Sequence, residues 1–293
     1  MKHIKLMTDS ACDIPKELEE QYEIRILSFP VTVGNDSYLE RIDFTNEEFY
    51  DMLLTTPKIP TTSQITMIQF EEEYQKVCDE GYTELIYVSI NGGGSNTYTA
   101  ACMAREQFYE AHPEKKETFL IHIVDSKTYT VAYGHPVVEA ARKAERGASS
   151  AEIIAYLEDW FDSVEIYFAP YTLNFVKKSG RVPAAAAFVG ELMGLRPIIS
   201  IIDGKTKVIE KVRGDKAIIP ALLKHAQAAA IPHTPYLTVK GMCDEQGEEL
   251  FQKAQKAFGE KAVGLFNIGA AISINAGPKV VGIIVKGQRR EMK

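Results

Sequence analysis

Short apolar runs alternate along this chain with longer amphipathic segments. Runs of strand length occupy residues 3–8, 84–90 and 119–126, and each leads into a turn of small or polar residues. Segments of helical length separate them, and the one over 67–80 ends at Gly81. Strands that alternate with helices are typical of an α/β fold whose sheets are mainly parallel.

A second series of strand-like runs begins after residue 163. Its predicted strands are residues 165–169, 235–241 and 262–268, together with a hairpin over 198–212 that turns at Asp203-Gly204. At 293 residues the chain is close to the size at which a single hydrophobic core stops growing. We therefore predict two α/β domains, 1–163 and 164–293, each a mainly parallel sheet flanked by helices.

Local signals predict several element boundaries in the first half. Asp13-Ile14-Pro15 is predicted to cap and start a helix, and residues 24–33 are predicted to form one strand that ends at Gly34. Thr45 and Glu48 have the spacing of a capping box, in which each side chain bonds the backbone N–H of the other residue.

Composition and charge narrow the possible functions. The formal net charge is −7, with 45% hydrophobic and 25% charged residues, so we expect no nonspecific binding to nucleic acid or to an anionic membrane surface. No run reaches about 18 apolar residues, the length of a membrane span, and the N-terminal sequence does not resemble a signal peptide. The four cysteines are scattered and the six histidines lack ligand-like spacing. We therefore expect a cytoplasmic protein with reduced thiols, no integral membrane association, no metal and no cofactor.

Three short loops combine hydroxyl side chains with tight-turn residues, and each follows or adjoins a strand. They are Thr8-Asp9-Ser10, Thr62-Ser63-Gln64 and the segment 92–97, Gly-Gly-Gly-Ser-Asn-Thr. In parallel α/β sheets ligands bind outside the carboxyl ends of the strands, where such loops converge. A helix that begins with Ser95 as its cap would offer free N–H groups to a carboxylate or phosphate. Taken singly, Ser and Thr before helices are usually caps only, and the glycine run lacks the lysine and spacing of a P-loop.

Residues 268–278 form a fourth candidate segment. They are small and apolar apart from Ser273 and Asn275, and they end at a Gly-Pro turn. One interpretation is a buried strand followed by a turn. The other is a pocket wall whose Asn275 side chain donates a hydrogen bond to a ligand.

Six segments, taken in order, resemble the motifs of the DegV family over essentially the whole chain. Residues 8–15 match its opening TDS-x-x-D-[IL]-P, and Thr62-Ser63-Gln64 matches its TSQ-P-[ST], with Ile65 in place of the proline. Residues 95–98 fall on its S-G-T-Y loop, with Asn96 in place of the glycine. The remaining matches are Asp125-Ser126 with a DS pair, residues 176–182 with L-K-K-G-G-R-I, and residues 195–198 with K-P-I-L.

This resemblance implies a fold of two α/β domains with one long-chain fatty acid in an internal tunnel, and a carrier that catalyses nothing alone. It implies that Thr62, Ser95 and Asn275 hold the carboxylate of the acid. It further implies supporting or tunnel-lining positions for Ser63, Gly94, Asn96, Thr97, Arg181 and Ile274. Several family members present the acid to a separate ATP-dependent fatty acid kinase, so such a kinase is an expected partner.

Asn275 is a departure from the family pattern. Residues 273–279, Ser-Ile-Asn-Ala-Gly-Pro-Lys, stand where the family has G-T-H-T-G-P-G, so an asparagine replaces the histidine. Asparagine can donate an N–H but cannot carry a proton or a positive charge. The resemblance therefore implies lipid binding more directly than it implies transfer to a kinase.

Three other functions stay open from the sequence. A serine hydrolase would use Ser95 with His122 or His135 as its base, although the chain has no G-x-S-x-G elbow. A phosphotransfer subunit related to dihydroxyacetone kinases would need a histidine in the matching loops, and none stands there. The change at Asn275 favours instead a binder of a different lipid or small acid. Lys177, Lys178 and Arg181 form a basic cluster, predicted to lie on a short loop, that is either a solvated face or a surface for the kinase.

Overall fold

Three β-sheets organise the part of the chain that the structure describes, residues 3–182 and 194–290 of a computed structural model. The elements of the first half are β1 (Ile4–Asp9), α1 (Lys16–Gln21), β2 (Arg25–Leu27), β3 (Pro30–Val33), β4 (Asp36–Leu39), α2 (Asn46–Thr55), β5 (Thr61–Thr62), α3 (Met67–Asp79), β6 (Glu84–Ser89), α4 (Thr97–Ala111), β7 (Leu120–Asp125), α5 (Val131–Glu145) and α6 (Ser150–Phe161). Those of the second half are β8 (Val164–Pro170), α7 (Asn174–Ser179), β9 (Leu195–Ile202), β10 (Lys205–Arg213), α8 (Ile218–Ala229), β11 (Tyr236–Lys240), α9 (Asp244–Phe258), β12 (Leu265–Asn267), α10 (Ala270–Ala276) and β13 (Val280–Lys286). Across these described residues, none of the helices has the length and apolar character that crossing a membrane requires.

The α/β fold class is confirmed, and the first large sheet is parallel as predicted. Its four strands lie in the order β2-β1-β6-β7, and every neighbouring pair is parallel. Residues 85–88 of β6 are fully buried, as expected for a strand that helices cover on both faces. The loops after β1, β6 and β7 therefore meet at the carboxyl edge of this sheet.

The predicted strand over 24–33 is in fact two strands in different sheets. β2 belongs to the parallel sheet, whereas β3 pairs antiparallel with β4 and with β5 in a small three-stranded sheet. Between them the backbone N–H of Phe29 donates to the hydroxyl of Ser10 at 2.9 Å, outside either ladder. Pro30, which follows, has no N–H to donate to a ladder. The strand-like run over residues 24–33 thus contains a change of sheet that its pattern does not indicate.

The second large sheet corrects the prediction that both sheets are mainly parallel. Its order is β10-β9-β8-β13-β11-β12, and only β11 and β12 run parallel. The last strand, β13, lies between β8 and β11 and runs antiparallel to both. The hairpin of β9 and β10 forms as predicted, because Asp203 and Gly204 both adopt the positive φ that its tight turn requires.

The six-stranded sheet has two differently covered faces. Tyr167 and Ala169 of β8 pack in a cluster with α8 and α9, whereas the alternate residues Ile166 and Phe168 face the first half of the chain. A single hydrophobic cluster contains residues of both large sheets, including Leu85 and Ile199. The division at residue 163 stays a proposal, since the two halves share this core.

The capping box predicted at Thr45 and Glu48 is confirmed at α2, whereas the cap predicted for α1 is wrong. The hydroxyl of Thr45 accepts from the Glu48 N–H at 3.2 Å, and the Glu48 carboxylate accepts from the Thr45 N–H at 2.7 Å. Asp13 does not cap α1, which begins at Lys16 after Pro15. Asp13 has a positive φ and instead accepts a hydrogen bond from Gly269, 256 residues away.

Replacement of Gly134 by alanine is predicted to destabilise the fold severely. A Cβ at Gly134 would overlap the backbone carbonyl oxygen of Cys12, in the turn between β1 and α1. Overpacking against backbone costs about 1–3 kcal/mol or more, because the atoms cannot rotate away. Gly147→Ala is the control, since it meets no atom within 4 Å and suffers only from its positive φ. Thermal melting should rank Gly134→Ala well below Gly147→Ala, and the opposite order would contradict the close packing of α5 on this turn.

Candidate functional site

A cavity of about 300 Å³ lies between the parallel sheet and the inner face of the six-stranded sheet. Its apolar wall consists of Phe29, Ile90, Ile166, Phe168, Val182, Ile201, Val239, Ile268, Ala271, Ile272, Ala276 and Val280. Its polar and glycine lining consists of Thr62, Ser63, Gln64, Gly92, Gly93, Gly94, Ser95, Asn96, Tyr129, Thr130, Arg181, Thr206 and Asn275. A mostly apolar enclosure with a few polar groups is the usual form of a small-molecule site.

Of the three predicted hydroxyl loops, Thr62-Ser63-Gln64 and residues 92–97 are joined to each other at this cavity, whereas Thr8-Asp9-Ser10 does not line it. The backbone N–H of Ile65, just after Gln64, donates to the hydroxyl of Thr97 at 3.3 Å. The Thr97 and Ser95 hydroxyl oxygens lie 2.9 Å apart. If Thr97 donates in that pair, the O–H of Ser95 is free to donate into the cavity. Thr97 itself is fully buried behind Ser95 and does not line the cavity.

The helix after the glycine loop has Asn96 at its N-cap, not Ser95 as predicted, and the N–H groups of residues 92–95 before it are bonded within the protein. The N–H of Gly92 donates to Asp125, and that of Gly93 donates to the side-chain oxygen of Asn91. The N–H groups of Gly94 and Ser95 donate to the Asn91 carbonyl, at 2.9 and 3.1 Å. Because these donors are occupied within the protein, the loop is not an open cradle for a phosphate or carboxylate.

The segment with Asn275 is a helix, so the interpretation of residues 268–278 as a buried strand is wrong. Residues 270–276 form the helix α10, which packs on α2 and α7. Asn275 lines the cavity, and its side-chain nitrogen donates to the carbonyl of Ala271 at 2.8 Å. One N–H and the amide oxygen of Asn275 remain for a ligand. Ile274 points elsewhere, into a cluster with Val31 and Phe49, and does not line the cavity.

The basic cluster lies at the end of helix α7, not on a loop as predicted. Lys177 and Lys178 occupy its last turn. Arg181 follows the helix and lines the cavity while remaining exposed, and its guanidinium donates to the Ser179 carbonyl at 3.0 Å. Arg181 thus lies at the rim of the cavity, next to solvent.

Three buried carboxyl groups lie behind the cavity wall: Asp9, which belongs to the candidate loop Thr8-Asp9-Ser10, Asp13 and Glu40. Asp9 accepts from Tyr133, Tyr87 and the Ile90 N–H, at 2.5, 3.1 and 2.9 Å. Burial raises its pKa to about 6, with the hydrogen bonds opposing the rise. The available signal was its position, since an acidic residue directly after a buried strand lies at the sheet edge where ligands bind.

Asp13 and Glu40 tie α10 to the first half of the chain. The N–H of Gly269 donates to Asp13 at 2.8 Å, and the N–H of Ala271 donates to Glu40 at 2.9 Å. Burial raises the pKa of both carboxyls, and the neighbouring Glu40 raises the pKa of Asp13 further. These contacts fix the N-terminus of the helix that carries Asn275.

The two histidines considered as a base for Ser95 lie elsewhere. His122 is on β7 and contacts Glu84 at 3.3 Å. His135 is on α5 against the Trp160 ring, and burial lowers its pKa. Within residues 3–182 and 194–290, no histidine lines the cavity and no group of acidic, histidine or cysteine side chains could hold a metal ion.

Comparison with known proteins gives one consistent family. A model described as an uncharacterised protein of the DegV family matches residues 3–287. A DegV domain-containing protein of Clostridium perfringens is 30% identical over 289 residues, 96% of this chain and 97% of that protein. The structure of a DegV lipid-binding protein of Thermotoga maritima matches with a TM-score of 0.83 at 25% identity, covering 99% of this chain and all of that one. A stearic-acid-binding protein of Eubacterium ventriosum has the same fold, with a TM-score of 0.86 at 24% identity over 98% of each chain.

Asp9→Asn is predicted to flatten the pH dependence of stability. A carboxyl whose pKa rises from 3.8 to about 6 on folding binds its proton more tightly in the folded state. Its contribution to the free energy of unfolding is therefore complete below pH 3.8 and declines as the pH rises to about 6. Melting temperatures across pH 4–7 should fall less steeply in Asp9→Asn than in the wild type. Equal slopes would contradict the raised pKa of Asp9.

Proposed function

The chain belongs to the DegV family, and we propose that it binds one long-chain fatty acid in the cavity between its two large sheets. The observation that carries this proposal is the composition of the cavity, an apolar enclosure with Thr62, Ser95 and Asn275 in its polar lining. Solved proteins of the same fold are described as binding lipid or stearic acid, which supports the same ligand class here.

The apolar wall accounts for most of the proposed affinity. Burial of about 14 methylene groups at roughly 0.8 kcal/mol each gives roughly 11 kcal/mol of gross transfer free energy. Ordering and association oppose this by several kcal/mol, and a hydrogen bond to a charged group adds only about 1.5–3 kcal/mol. The acyl chain therefore contributes more than the head group. On the inner face of the six-stranded sheet this apolar surface is supplied by Ile166, Phe168, Ile201 and Val239.

The polar lining would hold the head group through neutral donors. Ser95 and Thr62 each supply a hydroxyl, and Asn275 supplies the N–H that Ala271 does not occupy. Ser63, Gly94 and Asn96 lie beside them on the same two loops. This arrangement positions a carboxyl group and offers it no base or nucleophile pair, so we propose a carrier without catalysis of its own.

Presentation of the acid to a separate fatty acid kinase is the finer part of the proposal. Lys178 and Arg181 are exposed, and Lys177 is partly exposed beside them. Arg181 lines the cavity at its rim and the two lysines precede it in the last turn of α7, so we propose this surface as the one that a partner contacts. A cytoplasmic location is proposed with it, and the four cysteines, all unpaired thiols, suit a reducing compartment.

Purification from a bacterial host should yield protein with one fatty acid bound. Native mass spectrometry under gentle conditions is predicted to show the mass of the chain plus one acyl ligand, which denaturation releases. Protein that is consistently empty, and that also fails to bind added palmitate or oleate, would rule out the fatty-acid proposal.

Removal of both head-group hydroxyls should weaken binding moderately. The double variant Thr62→Ala, Ser95→Ala is predicted to bind palmitate about ten- to a hundredfold more weakly, because two hydrogen bonds with a net contribution of about 0.5–1.5 kcal/mol each are lost while the apolar wall is intact. Displacement of a fluorescent fatty acid measures this change.

Thr61→Ala is the matched control for this variant. Thr61 precedes Thr62 on β5, is exposed and does not line the cavity, so its replacement should leave the affinity unchanged. An affinity of the double variant equal to that of Thr61→Ala would contradict the head-group assignment.

A further inference from the structure

The polar lining of the cavity offers little to an ionised carboxylate. Apart from Arg181 at the rim, its polar side chains are hydroxyls and amides, which are neutral. The N–H groups of Gly92, Gly93, Gly94 and Ser95 are already bonded to Asn91 or Asp125. A buried carboxylate needs a cation or several donors, and without them it takes up a proton.

Acidic side chains stand directly behind the cavity wall. Four backbone segments that line or adjoin the cavity donate their N–H to a carboxyl group: Ile90 to Asp9, Gly92 to Asp125, Gly269 to Asp13 and Ala271 to Glu40. The Asp125 carboxyl is so close that a Cβ at Gly92 would meet its oxygen at 2.7 Å. A carboxyl contributes a negative charge when ionised and none when protonated. In neither state does it supply the positive charge that would pair with a carboxylate.

The cations near the cavity are turned to solvent or paired with other groups. Arg181 is exposed and bonds the Ser179 carbonyl. Lys127 lies 3.8 Å from Asp162 and 3.9 Å from Asp203, and Lys205 lies 3.8 Å from Asp203. An exposed guanidinium is screened by water, so its attraction for a buried carboxylate is small. Among the described lining residues, Arg181 is the one with a positive charge.

We propose that the cavity holds its acid in the protonated, uncharged form, with the carboxyl O–H donating to a neutral acceptor such as the amide oxygen of Asn275. This inference rests on the proposed fatty-acid function. The carbonyl oxygen of the acid accepts from the Ser95 or Thr62 hydroxyl. Every polar atom of a neutral carboxylic acid then has a partner, whereas an ionised one would be left without a counter-charge.

Binding of this kind is coupled to proton uptake. An aliphatic carboxyl has a pKa of about 4.3 in water, so at neutral pH the acid takes one proton from solvent as it enters. The affinity for total fatty acid should then fall about tenfold per pH unit from about pH 5 up to the pKa of the bound acid.

The direct test is a ¹³C NMR titration of carboxyl-labelled palmitate in a one-to-one complex with the full-length protein. The carboxyl resonance of the bound acid is expected at its protonated position at pH 7, with a pKa of about 8 or higher. A resonance that titrates with a midpoint at or below about pH 5 would overturn the inference while leaving the fatty-acid function intact. The absence of any bound resonance that unlabelled palmitate displaces would instead count against the proposed function itself.

Two variants test which side chains determine the pKa of the bound acid. Asn275→His places a titratable imidazole in the polar lining and is expected to lower the pKa of the bound acid by about 1 unit or more. Arg181→Gln is expected to leave that pKa unchanged. A higher pKa of the bound acid in Arg181→Gln would show that Arg181 pairs with an ionised carboxylate, and would overturn the inference.

A neutral analogue provides a measurement that does not depend on the variants. Palmitamide has the tail of palmitate with an uncharged head group, and it is expected to displace palmitate at pH 8 with equal or higher affinity. Affinity of the amide more than about tenfold below that of palmitate at this pH would contradict an uncharged bound head group.

Discussion

The hydrogen bonds from the backbone N–H groups of Gly269 and Ala271 to the buried carboxyls of Asp13 and Glu40 hold the cavity together. They join residues more than 230 positions apart in sequence, at 2.8 and 2.9 Å. The Tyr50 hydroxyl adds a third such link, to the Ile268 carbonyl at 2.6 Å. Because of these bonds, α10 stands between the two large sheets and contributes one wall of the space between them. The inner face of the six-stranded sheet is therefore covered, but a cavity of about 300 Å³ remains beside it.

The proposed function follows from the side chains that line this cavity. Alternate residues of β8 and β9 direct aliphatic and aromatic side chains into the cavity, while the loops after β5 and β6 bring hydroxyls to it. The glycine loop satisfies its own backbone donors and leaves only neutral side chains to a head group. Under the proposed function, such a site would retain an acyl chain by burial and orient its carboxyl without activating it. A partner that modifies the carboxyl would have to bring a positive charge to the head group, because Arg181 is exposed at the rim.

Much of this could be predicted from local sequence, and the rest depended on distant contacts. The parallel strands, the Thr45 capping box and the Asp203-Gly204 hairpin follow from apolar runs and turn residues, which act over a few positions. The resemblance to family motifs indicated Thr62, Ser95 and Asn275, and all three line one cavity. The antiparallel course of β13 and the helical state of residues 270–276 were not predictable in this way. A short apolar run does not reveal its strand partners, and α10 is stabilised by carboxyls from the other end of the chain.

The central claim, that an acyl chain lies between the two sheets with its carboxyl at the hydroxyl loops, is tested most directly by a crystal structure of the protein grown with palmitate. The account predicts continuous electron density along Ile166, Phe168 and Val239. That density should end within hydrogen-bonding distance of Ser95 and Thr62. Density for the acid elsewhere on the molecule, or a chain whose carboxyl points away from these two hydroxyls, would contradict it.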